Sequence, residues 1–182
     1  MRNDESKDMT RQEEKQDVRT PEGITEKAAG TASEGQKRME EHMEVTMREL
    51  NVDQKNIING MMQCEYVSCN YEEMSTVMRF PVLPWQVNRV GVLHGGMYCT
   101  AFDLAMAVIA RFAAQSNFTP TVGIEVKFIR PAKEGQHLLV KTRATACGRR
   151  ISQFFCEAVI EETGKLAATA TSVYMNAGSD RQ

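Results

Sequence analysis

The chain has 182 residues, 42% of them apolar and 25% charged, a balance that fits one globular domain and leaves little room for a second. Residues 1–40 hold eight of the 22 Lys and Arg and ten of the 24 Asp and Glu, so the rest of the chain carries fourteen of each sign. A body this close to neutral lacks the basic field that draws duplex nucleic acid or an anionic membrane, and neither is expected as a partner.

Residues 1–34, opening MRNDESKDMTRQEEKQ, mix both charges with Gly, Ser and Thr and hold almost no large apolar side chains. They cannot bury enough surface to order themselves, and a disordered charged tail is expected, too acidic for an organelle transit peptide. From Gly35 to Leu50, the residues Met39, Met43, Met47 and Leu50 recur at intervals of four, four and three, on one helical face opposite Glu41, Glu44 and Arg48. An amphipathic helix and its loop are therefore predicted over 35–60. The acidic polar face favours docking on the domain over binding to lipid.

MQCEYVSCN and MSTVMRFPV, bounded by Asn70, Pro81 and Pro84, read as two strands. NRVGVLHGG then leads into Met97–Ala114, whose length and Ala, Met and Leu content favour a buried helix. In PTVGIEVKFIRP, Val122, Ile124, Val126 and Phe128 fall at period two, the pattern of one strand face. HLLVKTRATA and ISQFFCEAVIEE continue as strands, and Glu162, Thr163, Gly164 and Lys165 turn into LAATATSVYM. This is an α+β order over 61–177: one antiparallel sheet wrapped around one long central helix, with edges available for pairing. Residues 178–182 are left as a short tail.

Cys64, Cys69, Cys99, Cys147 and Cys156 form no CxxC pair, and only His42, His94 and His137 could add imidazoles, so no metal or cofactor is expected. No apolar run reaches the roughly 18 residues that a membrane helix needs, and no apolar signal core opens the chain. Reduced thiols in the cytoplasm are the expectation.

The densest site signal is NRVGVLHGGMYCTAFD, residues 88–103, where loop becomes helix. Gly95 and Gly96 together signal close approach to the backbone and expose N–H groups at the positive end of a helix dipole. Such donors, aimed at a carbonyl oxygen, stabilise a developing oxyanion by about 3 kcal/mol each. Asp103 is the only charge between His94 and Arg111, and no cation lies three or four positions away to pair with it. On one helix, the eight residues between Gly95 and Asp103 span roughly 12 Å, too far for both to reach one carbonyl group. Two antiparallel copies about a twofold axis would set Gly95 of one chain beside Asp103 of the other, so a homodimer with shared sites is predicted.

At these residues the chain resembles the hotdog-fold thioesterases, in particular the PaaI-like phenylacetyl-CoA thioesterases and their animal thioesterase-superfamily relatives. The resemblance runs from about Tyr66 to Met175. It rests on His94, Gly95 and Gly96 with Asp103 nine positions after the His and Asn88 six before it, then on IEVKFIRPAKEG, the CGRR turn and ETGKLAATAT. It implies an acyl-CoA thioesterase acting on an aromatic or short- to medium-chain acyl group, with coenzyme A as part of the substrate. The Gly95 N–H, helped by the Asn88 side chain, would polarise the thioester carbonyl. Asp103 of the partner chain would act as general base or nucleophile, and Thr121 would position the water. His94 would orient the loop or meet the leaving thiol, or serve only as a structural hydrogen bond.

Gly96 joins the expected substrate-binding set, as do Arg130, Arg149 and Arg150, which with Lys133 could face the coenzyme A phosphates. Trp85 could wall the acyl pocket or simply pack. Dimer and tetramer both remain open. A non-catalytic acyl-CoA-sensing module and a hydratase or dehydratase of the same fold are the alternatives.

Overall fold

The computed structural model describes residues 32–176, so the tail expected over 1–34 lies outside the described residues as far as residue 31, as does the tail at 178–182. Ala32, Ser33 and Glu34, placed in that tail by composition, are instead the first turn of α1 (Ala32–Arg48). Glu34 in the first turn and Arg48 in the last complement the helix dipole. Met39, Met43 and Leu50 are buried, and Met47 is half-buried, as the four-four-three spacing requires. A π-helical turn (Glu49–Asp53) carries Leu50 inward, and α2 (Ile58–Met61) follows.

The strands are β1 (Glu65–Asn70), β2 (Ser75–Pro81), β3 (Thr121–Phe128), β4 (His137–Cys147), β5 (Ile151–Ile160) and β6 (Lys165–Met175). They form one sheet in the order β1-β2-β4-β5-β6-β3, with every neighbouring pair antiparallel. Alternation decides the inner face: Met78 and Phe80 on β2, Leu138 and Val140 on β4, and Phe154, Cys156 and Ala158 on β5 are all buried. The sheet curls around α3 (Gly95–Ala114), the predicted helix extended by two residues at its start.

Nine residues of α3 are buried, among them Phe102, Met106 and Ile109 with no exposed surface. Each of those three large side chains contributes about 1.5–3 kcal/mol by burial. The helix ends at Gln115, whose left-handed φ of 50° lets its N–H reach the carbonyls of Arg111 and Phe112. By length and mean hydropathy, 1.4, α3 passes for a membrane span, which the sequence did not suggest because Asp103 and Arg111 interrupt its apolar runs. Half of that window is buried within the protein, so its apolarity serves as core. His42 ties α1 to α3: its Nε2 lies 3.0 Å from the Val108 carbonyl, and its ring packs 5.5 Å from that of Phe112.

The period-two expectation for β3 fails at its first member. Thr121 pairs with Tyr174 and Gly123 with Val173, so Val122 is an extra residue, a β-bulge, and is 60% exposed. Beyond it, Ile124, Val126 and Phe128 face Ser172, Ala170 and Ala168 as expected. β3 is an edge strand, and Phe128, 58% exposed, is covered by nothing on its outer side among the described residues.

Candidate active site

The loop before α3 is built by Asn88. Its Oδ1 accepts from the N–H groups of Val90 (3.0 Å) and Val92 (3.4 Å), and its own N–H donates to the Val92 carbonyl at 2.8 Å. That is an Asx-type turn, which uses the acceptor of the amide and leaves its Nδ2 without a hydrogen-bond partner among the described residues. The donor side of the Asn88 amide is therefore unengaged among the described residues.

His94 is the N-cap of α3: with φ −64° and ψ 139° it stands outside the helix, and its Nδ1 accepts from the Gly96 N–H at 2.9 Å. In the neutral ring the proton is then on Nε2, free to donate outward. The doubled glycine therefore divides its labour, and the expectation that both amides face a ligand is corrected for Gly96, whose N–H is spent on the cap. The Gly95 N–H has no partner among the described residues. Close approach to the backbone is real at both positions: a Cβ on Gly95 would lie 3.3 Å from the Phe128 ring, and one on Gly96 3.1 Å from the His94 imidazole.

Eight residues along α3, Asp103 is half-buried and makes no ion pair among the described residues. Its Oδ1 instead accepts two hydroxyls, Thr121 Oγ1 at 2.7 Å and Tyr174 Oη at 2.8 Å. Both come from one cross-strand pair, because the bulge at Val122 sets Thr121 directly opposite Tyr174 on the inner face. In an unbroken ladder Val122 would occupy that rung and Thr121 would point away. Thr121 and Asp103 were both expected in the site; Tyr174 was not. A tyrosine near the end of an apolar strand carries no local signal, and its partner is 71 residues away.

The register sorts the basic candidates. Arg149 and Arg150, in the turn between β4 and β5, lie at the Asp103 end, since Ser152 pairs with Tyr174 and Tyr174 with Thr121. Arg130 follows β3 at the opposite end, where Phe128 meets Gly95, and Lys133 bridges to Val92 of the loop. Arg130 is partly engaged, its Nη1 donating to the Leu166 carbonyl at 2.8 Å. Tyr98 pins this end of the chain, donating to the Arg130 carbonyl and accepting from the Ala132 N–H.

Trp85 is 44% exposed rather than packed away, and lines a cleft with Lys55, Met61, Gln63 and Glu65. Of the three histidines, His137 brings its ring within 4.8 Å of the Glu161 and Glu162 carboxylates. Those groups already satisfy one another and Arg79, at 2.8 Å for His137–Glu162 and 2.7 Å for Arg79–Glu161. All five cysteines are unpaired, and burial pushes the Cys64 and Cys156 thiols up to about 12.

The sheet curled around α3 is the hotdog fold, shared with solved structures of low identity. The Escherichia coli PaaI protein of the phenylacetic acid degradation operon is 16% identical with a TM-score of 0.67, covering 80% of this chain and 97% of its own. Zebrafish thioesterase superfamily member 2 is 18% identical with a TM-score of 0.65, covering 73% and 96%. A Streptococcus mutans protein bound to acetyl CoA is 19% identical with a TM-score of 0.58, covering 65% and 91%. Residues 90–167, from the loop through α3 to early β6, match the family model of the thioesterase superfamily, which bears out the resemblance read from the motif. No curated protein matches the chain.

Proposed function

We propose that the chain hydrolyses acyl-CoA thioesters, with an aromatic or short- to medium-chain acyl group, at a site shared by two copies. The Gly95 N–H at the start of α3, with Asn88 Nδ2 beside it, grips the thioester oxygen of one substrate. Asp103 of the partner subunit takes a proton from water, whose oxygen attacks the carbonyl carbon. The tetrahedral intermediate collapses, the carbon–sulfur bond breaks, and the coenzyme A thiolate leaves and takes up the proton that Asp103 gained, restoring the base. Thr121, its hydroxyl proton committed to Asp103, keeps lone pairs that can hold that water. His94 Nε2–H would offer the departing sulfur a hydrogen bond, keeping its own proton. Arg149 and Arg150 of the chain supplying Asp103, and Arg130 and Lys133 of the chain supplying Gly95, would flank the site for the phosphates.

The observation that carries this reading is on α3 itself: one unengaged amide at its start and one hydroxyl-held carboxylate two turns on, joined by a half-exposed stripe of Gly96, Cys99, Thr100 and Asp103. Small side chains on such a stripe let a second copy of the helix approach, and the free edge of β3 runs beside it. The neighbour that holds acetyl CoA supports the ligand class. The unpaired thiols support a reducing compartment, the cytoplasm.

The test is thiol release from a panel of acyl-CoAs by the native protein and by Asp103→Asn. Turnover of at least one thioester, falling by about a thousandfold in the variant, is expected. Equal turnover by the two proteins removes Asp103 from the chemistry. Tight binding of an acyl-CoA with no turnover would favour the sensing module instead.

A further inference from the structure

We infer that Tyr174 is a positioning residue for this hydrolysis, holding Oδ1 of Asp103 together with Thr121 so that Oδ2 is the oxygen that acts on water, an assignment that rests on the thioesterase reading above. Tyr174 has no exposed surface, and its ring is fixed edge-on against Phe154 at a centroid distance of 5.6 Å. Its hydroxyl lies 2.8 Å from Asp103 Oδ1 and 2.9 Å from the Asp103 backbone carbonyl. One phenolic proton shared between these two acceptors fastens the carboxylate to its own helix turn and removes its freedom to rotate.

Burial, and then the charge of Asp103, push the Tyr174 phenol well above its ordinary range, so it stays a proton donor across the working range of pH. Thr121 completes the clamp from the other side at 2.7 Å. Two donors on Oδ1 and none on Oδ2 among the described residues leave one defined oxygen for chemistry. Ser172, next along the inner face of β6, donates to the Gly123 carbonyl at 2.7 Å and ties down the bulge that aims Thr121. Of the three β3 and β6 residues in the clamp, Thr121 also faces the water, whereas Tyr174 and Ser172 act only through their neighbours.

Tyr174→Phe removes one oxygen and leaves the ring in place. The expected result is a kcat lowered by about ten- to a hundredfold, with KM for the acyl-CoA moved by no more than roughly twofold, because a misaimed base slows attack without weakening binding. In parallel, the carbon-13 carboxyl resonance of Asp103, assigned by its absence in Asp103→Asn, should be displaced in Tyr174→Phe. A folded Tyr174→Phe with native kcat and an unmoved resonance overturns the assignment, whatever its melting temperature. If that variant does not fold, the native chain grown with 3-fluorotyrosine decides. Displacement of the Asp103 resonance supports the clamp and an unmoved one overturns it, since no other tyrosine bonds Asp103 among the described residues. Native turnover in Asp103→Asn would sink the thioesterase base instead, and the resonance would still report whether Tyr174 holds the carboxylate.

Discussion

At the scale of single residues, His94 has an observed role on one ring nitrogen and a proposed one on the other, and substitution can part them. Nδ1 caps α3 through Gly96, while Nε2–H faces outward. His94→Ala should cost about 1 kcal/mol of stability in denaturant unfolding, whereas His94→Asn, a good N-cap, should stay within about 0.5 kcal/mol of native. Thioester turnover should fall in both, because neither supplies the Nε2 donor; native turnover in the asparagine variant would leave His94 purely structural. His94, Gly95 and Asp103 were legible because a doubled glycine and a solitary carboxylate on an apolar helix are both anomalies of local sequence. Tyr174 was not legible, since only the pairing of β3 with β6 brings it to Asp103. The occupation of the Gly96 amide was equally hidden: spacing shows that amides are exposed at a helix start but not which of them a neighbouring imidazole takes.

At the scale of elements, α1 was readable from four apolar side chains, but its anchor was not. His42 reaches across to the Val108 carbonyl, and burial holds its imidazole below the ordinary value of 6.5 against the raising influence of that bond. The neutral ring is therefore favoured in the folded chain. Below 6.5 the unfolded chain takes up the proton first, so the contribution of this contact is full above 6.5 and is lost as pH falls from 6.5 towards the lowered folded value. Amide hydrogen exchange should show α1 loosening relative to β4 over that acidic interval. In His42→Gln the extra loosening should disappear; an identical pH response in the variant would show that another group controls α1. The strands were legible from alternation, and the bulges were not. An extra residue such as Val122 leaves no mark on composition, and it becomes visible only when the partner strand supplies the count.

At the scale of the whole molecule, the proposal of a second chain rests on the roughly 12 Å between Gly95 and Asp103 along α3. Asn88→Ala and Asp103→Asn chains, each inactive alone, should regain about a quarter of native turnover when mixed equally and allowed to exchange subunits. Half of the dimers then carry one intact site of two. Mixtures that exchange, as judged by mass-tagged chains, yet stay inactive would place both residues in one protomer's site. The bulge bears on this scale as well. The residue that turns Thr121 inward is itself turned outward, adding an apolar side chain to a rim that already shows Phe118, Phe128 and Ile129. A lone protomer would pay for its aspartate clamp with a sticky border, and a solitary copy in dilute solution is the form most exposed to clumping.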